Sequence, residues 1–568
     1  MNTRQAPATR DRTPRRRDEQ GLYDVIVVGG GMAGLTTSAF AARAGYRVLL
    51  CDKEPVLGGL VRSFERNGFT WDAGIRALED SGIIFPMLEA LGIQLDVVKS
   101  PVSLGIEDRV IPITSPASLI DYRQLLEQFY PDRRQDIARI LDAVRRVMRQ
   151  MDVLYGIENP TFKDLRHDWE YVLHRLLPWL GKFLVTIGRI NRMTMPVDGY
   201  LEALTDSRAL IDIISQHFFQ KTPAFFALSY FSLYLDYVYP VGGTGALPAA
   251  MESYCEAAGV DFRTRTNIVA VDPIARTVTD EDGTVAAYRK LVWAADQKTL
   301  YRIAALDALP TASARKRARK RADLVTASAG GDSVLTLYLE VNLDPAWFAA
   351  KSHGHFFYTP TRQGVGRDIR SALDAVLADA QAGSDAFRDR AEAWIRRYLG
   401  STTYEISIPV LKDPTLAPPG KTGLIVSVLF DYALCAAARD RGWYEELKAV
   451  AEDCLIETLD GSVYRGLKDA ILDRFSSTPL SIARSVGSSD GAITGWAFTN
   501  PILPAVDRMQ HVARSVRTCL PDIYQAGQWS YSPSGLPIAI LTGKLAADRA
   551  VRDLHRMRGR RRGHRIET

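Results

Sequence analysis

The sequence is poor in the residues that staple or metallate a protein. Five cysteines (51, 255, 435, 454 and 519) are scattered over 568 residues, odd in number and without a Cys-x-x-Cys. Neither a disulfide framework nor a thiolate zinc site is expected, and a reducing cytoplasm suits this composition. Of the eight histidines, His353 and His355 are spaced like a ligand pair, but nothing nearby completes a site; no metal is expected. Long apolar runs are also lacking. Residues 25–42 follow Arg15-Arg16-Arg17 and so imitate an export leader, yet they read better as strand, turn and helix. Residues 217–239 are broken by Gln220, Lys221, Pro223 and Asp236, which argues against a membrane span. Gly487-Ser-Ser489-Asp-Gly491 has the esterase spacing without the strand and helix that a nucleophile elbow needs.

What is present is the composition of an ordinary globular chain, 46% hydrophobic and 24% charged, with material for several domains. The net charge of +5 sits at the ends. Residues 1–20 hold six arginines against three acids, and residues 549–568 hold eight against two, which leaves a slightly acidic body. These tails lack interleaved aromatics and any nucleic-acid motif, so nucleic acid is not an expected partner. They read as solvated tails, with contact to an anionic membrane surface as the alternative. Residues 315–321, six cations in seven positions, carry the same two readings.

The chemistry begins at Tyr23-Asp-Val-Ile-Val-Val28, a buried-strand pattern followed at once by Gly29-Gly-Gly-Met-Ala-Gly34, a helix, and a second strand ending in Asp52. In a β-α-β unit, Gly29 permits the tight turn, Gly31 lets backbone approach a pyrophosphate, and Gly34 lets helix and strand pack closely. The helix N-terminus offers unpaired N–H groups to the phosphates, and Asp52 stands where a ribose hydroxyl would be accepted.

Gly58-Gly59-Leu-Val-Arg62 and Trp71-Asp72-Ala-Gly74 follow, then Tyr239-Pro-Val-Gly242-Gly243, residues 260–271, Val292-Trp-Ala-Ala-Asp296, Asp413-Pro-Thr-Leu-Ala-Pro-Pro-Gly420, Asp490-Gly-Ala-Ile-Thr-Gly-Trp496, and Ile523-Tyr-Gln-Ala-Gly527-Gln528-Trp529 leading to Ser534-Gly535-Leu536-Pro537. In this order they resemble FAD-dependent phytoene desaturases and carotenoid isomerase-like proteins of the amine oxidase superfamily, over residues 22–555. The resemblance implies an α/β fold: a discontinuous Rossmann-type FAD-binding domain (22–105, 242–305, 485–555) interleaved with a mixed-sheet and helical substrate domain (106–241, 323–484), between basic tails at 1–21 and 556–568. It implies FAD held by Gly29, Gly31, Met32, Ala33, Gly34, Asp52, Lys53, Gly58, Gly59, Arg62, Gly74, Ile75, Arg76, Ile268, Gly527, Gln528, Gly535, Leu536 and Pro537. Most members carry an acid where Gln528 stands. No second Gly-x-Gly-x-x-Gly occurs, so no separate nicotinamide domain is expected.

Nine aromatics lie between Phe218 and Tyr239. They suit either core packing under a helical lid or the wall of an apolar tunnel reaching a membrane, with Phe226, Tyr230 and Tyr234 as wall residues. The expected activity is oxidoreduction at carbon–carbon bonds of an apolar isoprenoid or polyene, as desaturation, saturation or cis–trans isomerisation. An amine oxidase-like enzyme is the alternative, and a flavin-free prenyl-binding protein of the GDP-dissociation-inhibitor type is the non-enzymatic one. No residue identifies itself as the proton-transfer group.

Overall fold

Residues 21–79, 82–157, 159–163, 165 and 167–564 are described by the computed structural model. The N-terminal basic tail up to residue 20 and residues 565–568 lie outside them. The β-branched run forms β1 (Leu22–Val28), the segment after the glycines forms α1 (Met32–Arg43), and β2 (Val48–Cys51) returns alongside. Val25, Ile26 and Val27 are all fully buried, as in a central parallel strand covered on both faces. β1 lies between β2 and Val285–Trp293, parallel to both. Asp261–Arg263 extends the sheet beyond β2. The far edge of Val285–Trp293 is shared by an antiparallel strand, Thr277–Asp280, and a parallel one, Ile523–Gln525.

The C-terminal helix, Leu536–His564, packs on α1. A Cβ placed on Gly543 would stand 2.5 Å from the Ala33 carbonyl oxygen, and Thr37 Oγ1 donates to the Gly543 carbonyl at 3.0 Å. Only glycine allows so close an approach.

Two details differ from the sequence reading. Residues 260–271 are not one strand. The chain turns at Arg265, where φ is +51°, and Ile268–Asp272 pairs with Thr277–Asp280 at the opposite edge of the same sheet. The last helix also runs to His564, into the stretch read as a basic tail from 556, because Leu554 is buried and the Arg558 guanidinium lies 4.4 Å over the Tyr46 ring.

A second sheet has seven strands in the order Ile471–Ser477, Ser333–Val341, Thr422–Phe430, Tyr404–Ser407, His355–Thr359, Val102–Ile106 and Arg109–Ile113. Val102–Ile106 pairs with His355–Thr359, so the chain passes into this sheet before residue 105. Strand alternation divides the sheet into two faces. Leu335, Leu337, Leu424, Val426 and Phe356 join one core with the helices Phe387–Leu399 and Tyr444–Asp460. The opposite face presents His355, Phe357, Glu405, Ser407 and Ser427. At its 102–113 end this face meets the helices Arg134–Tyr155 and Ala224–Asp236. No described helix is long and apolar enough to cross a membrane.

Candidate active site

The glycines of the first turn differ in what limits them. Gly29 has φ +106° and no room for a side chain against Ala294. A Cβ on Gly34 would fall 1.8 Å from the Gly29 carbonyl oxygen. At Gly31 a Cβ would meet no heavy atom within 4 Å, so this backbone borders open space at the N-terminus of α1, beside Met32 and Ala33. The Asp52 carboxylate accepts hydrogen bonds from the backbone N–H groups of Gly30 and Glu54. Burial raises its pKa and those two donors pull it back. With one bond on each oxygen, lone pairs remain for hydroxyl donors. Gly58 N donates to the Gly30 carbonyl at 2.9 Å, which brings the second glycine pair, with Gly59, against the first turn. Lys53 Nζ donates to the Arg484 carbonyl at 2.6 Å, and Arg62 lies 3.8 Å from Glu54. Ile268 packs in a core with Val28 and Cys51. The adjoining residues touch Asp52 directly: Asp52 N donates to the Arg263 carbonyl, and Thr266 N to the Asp52 carbonyl.

Asp72 is buried and joins two distant motifs. It accepts from Thr244 N at 2.9 Å, Thr244 Oγ1 at 2.8 Å, Ser63 Oγ at 3.1 Å and Tyr239 OH at 2.7 Å. Asp413 Oδ2 accepts from Gly242 N at 2.7 Å. Three motifs far apart in sequence thus close on one another as a clamp. Within it, a Cβ on Gly74 would stand 1.9 Å from the Leu60 carbonyl oxygen, and Ile75 N donates to that same oxygen at 3.3 Å. Arg76 reaches across to the second sheet, donating to the Asp72 carbonyl at 2.6 Å and to Ser427 Oγ at 2.9 Å.

At the closing motif, Gly527 has φ +87° and its N–H donates to Thr542 Oγ1 at 2.9 Å. A Cβ there would lie 3.4 Å from the Ala33 side chain, so this turn stands over the start of α1. The Gln528 side chain leans into the 488–492 loop, 3.4 Å from the Ala492 carbonyl. Gly535, Leu536 and Pro537 open the C-terminal helix. Just before them, the Ser532 and Ser534 hydroxyls are buried without a hydrogen-bond partner. Buried hydroxyls are seldom left so, and a polar ligand passing this turn would satisfy them. Open space at Gly31, donors at two helix N-termini and these orphaned hydroxyls all fit a bound dinucleotide.

Phe226, Tyr230 and Tyr234 recur every fourth residue along Ala224–Asp236 and contact one another in sequence, with ring centroids 5.4 and 5.9 Å apart. Tyr234 also lies 5.0 Å from Phe357 on the sheet. None of the nine aromatics is exposed, because the helix is packed between Arg134–Tyr155 and the sheet; this stretch is not a membrane lip. Tyr122, Tyr155, Tyr230, Tyr237 and Glu405 lie deep in the protein, yet each keeps accessible surface, 38% for Tyr155 and 37% for the Glu405 side chain. Their accessible parts border a chamber between the aromatic helix and the sheet. Glu79 shares it, with burial and the charge of Asp236 raising its carboxyl to about 7.

The chamber contains groups that the sequence reading missed. His355 Nε2 lies 3.1 Å from Glu405 Oε1, and the ring stacks on Tyr237 at 5.2 Å. Burial lowers the pKa of His355, which is therefore neutral and donates this hydrogen bond, leaving its buried Nδ1 without a partner. Burial opposes ionisation of Glu405, but the bond from His355 and the charges of Arg76 and Lys412 outweigh it, so the carboxylate is held ionised. Lys412 Nζ donates to the Arg76 carbonyl and to Ser407 Oγ, each at 2.8 Å. Burial brings its pKa down to about 7. His355 and Glu405 stand on neighbouring strands, facing the same way by alternation; that register was the available signal, since sequence spacing paired His355 with His353. His353 instead bonds Ser103. No group of metal-ligating residues occurs among the described residues.

Residues 27–91 match the NAD(P)-binding Rossmann-like domain family. The 4,4'-diapophytoene desaturase (4,4'-diaponeurosporene-forming) of Staphylococcus aureus strain COL is 22% identical over 572 aligned residues, which cover 94% of this chain and 99% of that one. The chain is thus similar to this desaturase over nearly its whole length. Solved structures agree on the fold. A redesigned putrescine oxidase superposes with a TM-score of 0.58 at 13% identity, covering 94% of this chain and 99% of its own. An oxidoreductase from Methanosarcina mazei gives 0.54 at 12% identity, covering 92% and 98%. The likeness to the desaturase therefore reaches beyond the Rossmann layer through the second sheet and its helices.

Proposed function

We propose that this chain is an FAD-dependent oxidoreductase acting on carbon–carbon bonds of an apolar, isoprenoid- or polyene-like substrate, with desaturation as the favoured direction. The observation that carries the reading is the row of aromatic rings along Ala224–Asp236 facing the second sheet, which Arg76 joins to the dinucleotide motifs. The near full-length similarity to a diapophytoene desaturase supports it.

Gly29, Gly31 and Gly34 with the start of α1 would hold the pyrophosphate and Asp52 the ribose, while Gly527 and the start of the C-terminal helix would border the flavin. Bound flavin supplies the acceptor for a hydride. The protein supplies orientation, exclusion of water and a place for the proton. Phe226, Tyr230, Tyr234 and Phe357 would hold the hydrocarbon by burying its surface, at about 25 cal/mol per Å². Glu405, ionised and facing the chamber, would accept the proton from the carbon next to the one that loses hydride, and His355 keeps its carboxylate oriented.

The test is conversion of a polyene by purified, flavin-loaded protein, with Phe226→Asp and Tyr234→Asp as controls. Both variants should lose conversion while keeping flavin, because a charge forced against that wall is heavily penalised. Full conversion by both removes the chamber from the account. Carboxylates at Glu79 and Glu405 among tyrosines also suit a cation, so small polyamines belong in the same assay. Faster turnover of amines than of polyenes would select carbon–nitrogen oxidation, and a colourless protein without flavin would select the prenyl-binding reading.

A further inference from the structure

We infer that Glu79, Tyr155, Tyr230 and Tyr237 form a polar subsite in the chamber, and that it takes a hydroxyl group at one end of the substrate. This deepens the proposed function by naming the substrate class, and rests on it only for the reaction that follows binding. Leu78–Glu79 pairs antiparallel with Tyr237–Pro240, and Glu79 stands directly opposite Tyr237, so both side chains leave the same face. Tyr237 contacts Tyr234 and Tyr234 contacts Tyr230, each pair with ring centroids 5.9 Å apart. Tyr155 closes the helix Arg134–Tyr155. Burial first, and the Glu79 charge with it, raises the phenols of Tyr155, Tyr230 and Tyr237, so all three stay protonated.

The polar atoms of these four side chains have no hydrogen-bond partner among the described residues, and each side chain keeps accessible surface. A neutral phenol both donates and accepts. Hydrocarbon alone in this space would drive water from a carboxyl and three phenols and leave them unpaired, which is heavily penalised. A hydroxyl on the substrate would pair with them instead. A cationic end is the competing occupant. Burial and the charge of Asp236 put the Glu79 carboxyl at about 7, so near neutral pH it donates about as readily as it accepts. A hydroxyl uses both roles, whereas an ammonium group uses only the second.

Position gives the subsite a use. Tyr237 joins it to the reacting groups, since its ring stacks on His355 and His355 bonds Glu405. An end anchored at Glu79 thereby sets which bonds of the chain reach Glu405.

The experiment measures equilibrium binding, then conversion, of two probes by full-length protein carrying its flavin: an acyclic polyene and the same polyene bearing one terminal hydroxyl. Wild type should bind the hydroxylated probe at least about tenfold more tightly. In Glu79→Leu and in Tyr230→Phe/Tyr237→Phe the ratio of the two affinities should fall to near one. Glu79→Gln, which still donates and accepts, should keep most of it. Each ratio is taken within one preparation, so a partly misfolded variant does not alter it. Equal affinities in wild type overturn the inference, as does a preference that survives Glu79→Leu. Tighter binding of the corresponding terminal amine overturns it too, making Glu79 a counterion. Preferential binding without conversion leaves the subsite standing and sinks the proposed reaction; conversion of both probes with equal affinities does the reverse.

Discussion

At the scale of the residue, glycine positions separate a ligand contact from a packing contact. Gly31→Val adds a side chain where open space adjoins the turn. The variant should fold, with thermal stability near that of wild type, and bind FAD at least about tenfold more weakly, a loss of about 1.4 kcal/mol. Gly34→Val drives a side chain into the Gly29 carbonyl and should fail to give soluble protein. Equal flavin content in Gly31→Val and wild type would contradict the pyrophosphate assignment. Glu405→Gln keeps shape and removes the proton acceptor, so turnover should fall by about 10²–10⁴-fold with flavin retained. Unchanged turnover would assign the pair a structural role.

Lys412 gives a pH effect of definite sign. Its native pKa of about 7 lies below the ordinary 10.5, burial being the main cause, with Asp72 and Glu405 opposing the shift and Arg76 adding to it. Between those values the unfolded chain binds a proton that the native chain lacks, so stability rises with pH across that window and the penalty is full below pH 7. Denaturation midpoints of wild type should therefore climb relative to Lys412→Met between pH 7 and 9. Parallel curves would show that the amine is not held neutral.

At the scale of the element, the Rossmann unit was legible because three constraints coincide there: a continuous apolar strand, glycines at fixed intervals and an acid at the next strand end. Ser333–Val341 and Thr422–Phe430 were legible from their β-branched runs. Val102–Ile106 and His355–Thr359 were not, since Gly105 and His355 interrupt the apolar pattern, and their pairing joins residues some 250 positions apart. The Glu405–His355 pair was hidden for that reason: it exists only once those strands are in register. The aromatic run is packed between neighbouring elements and exposes none of its rings, which composition alone does not show, because it does not tell which face of a helix meets a neighbour. Close helix packing gives the prediction at this scale. Gly543→Val should part α1 from the C-terminal helix and destabilise the protein by about 1–3 kcal/mol. A thermal midpoint equal to that of wild type would contradict the contact.

At the scale of the whole molecule, the two sheets are joined by side chains from motifs that sequence resemblance associates with the cofactor. Asp72 clamps the turns at 63 and 244, Asp413 clamps Gly242, and Arg76 and Lys412 carry the contact into the second sheet. Cofactor layer and chamber are thereby held as one unit, with the dinucleotide motifs on one side and the aromatic helix on the other. The measurement that tests this most directly is anaerobic mixing of flavin-loaded protein with an acyclic polyene, following flavin absorbance and analysing the hydrocarbon. The account expects the flavin to bleach in step with the appearance of one additional conjugated double bond per flavin. Flavin that stays oxidised with every polyene and bleaches with a polyamine would contradict it.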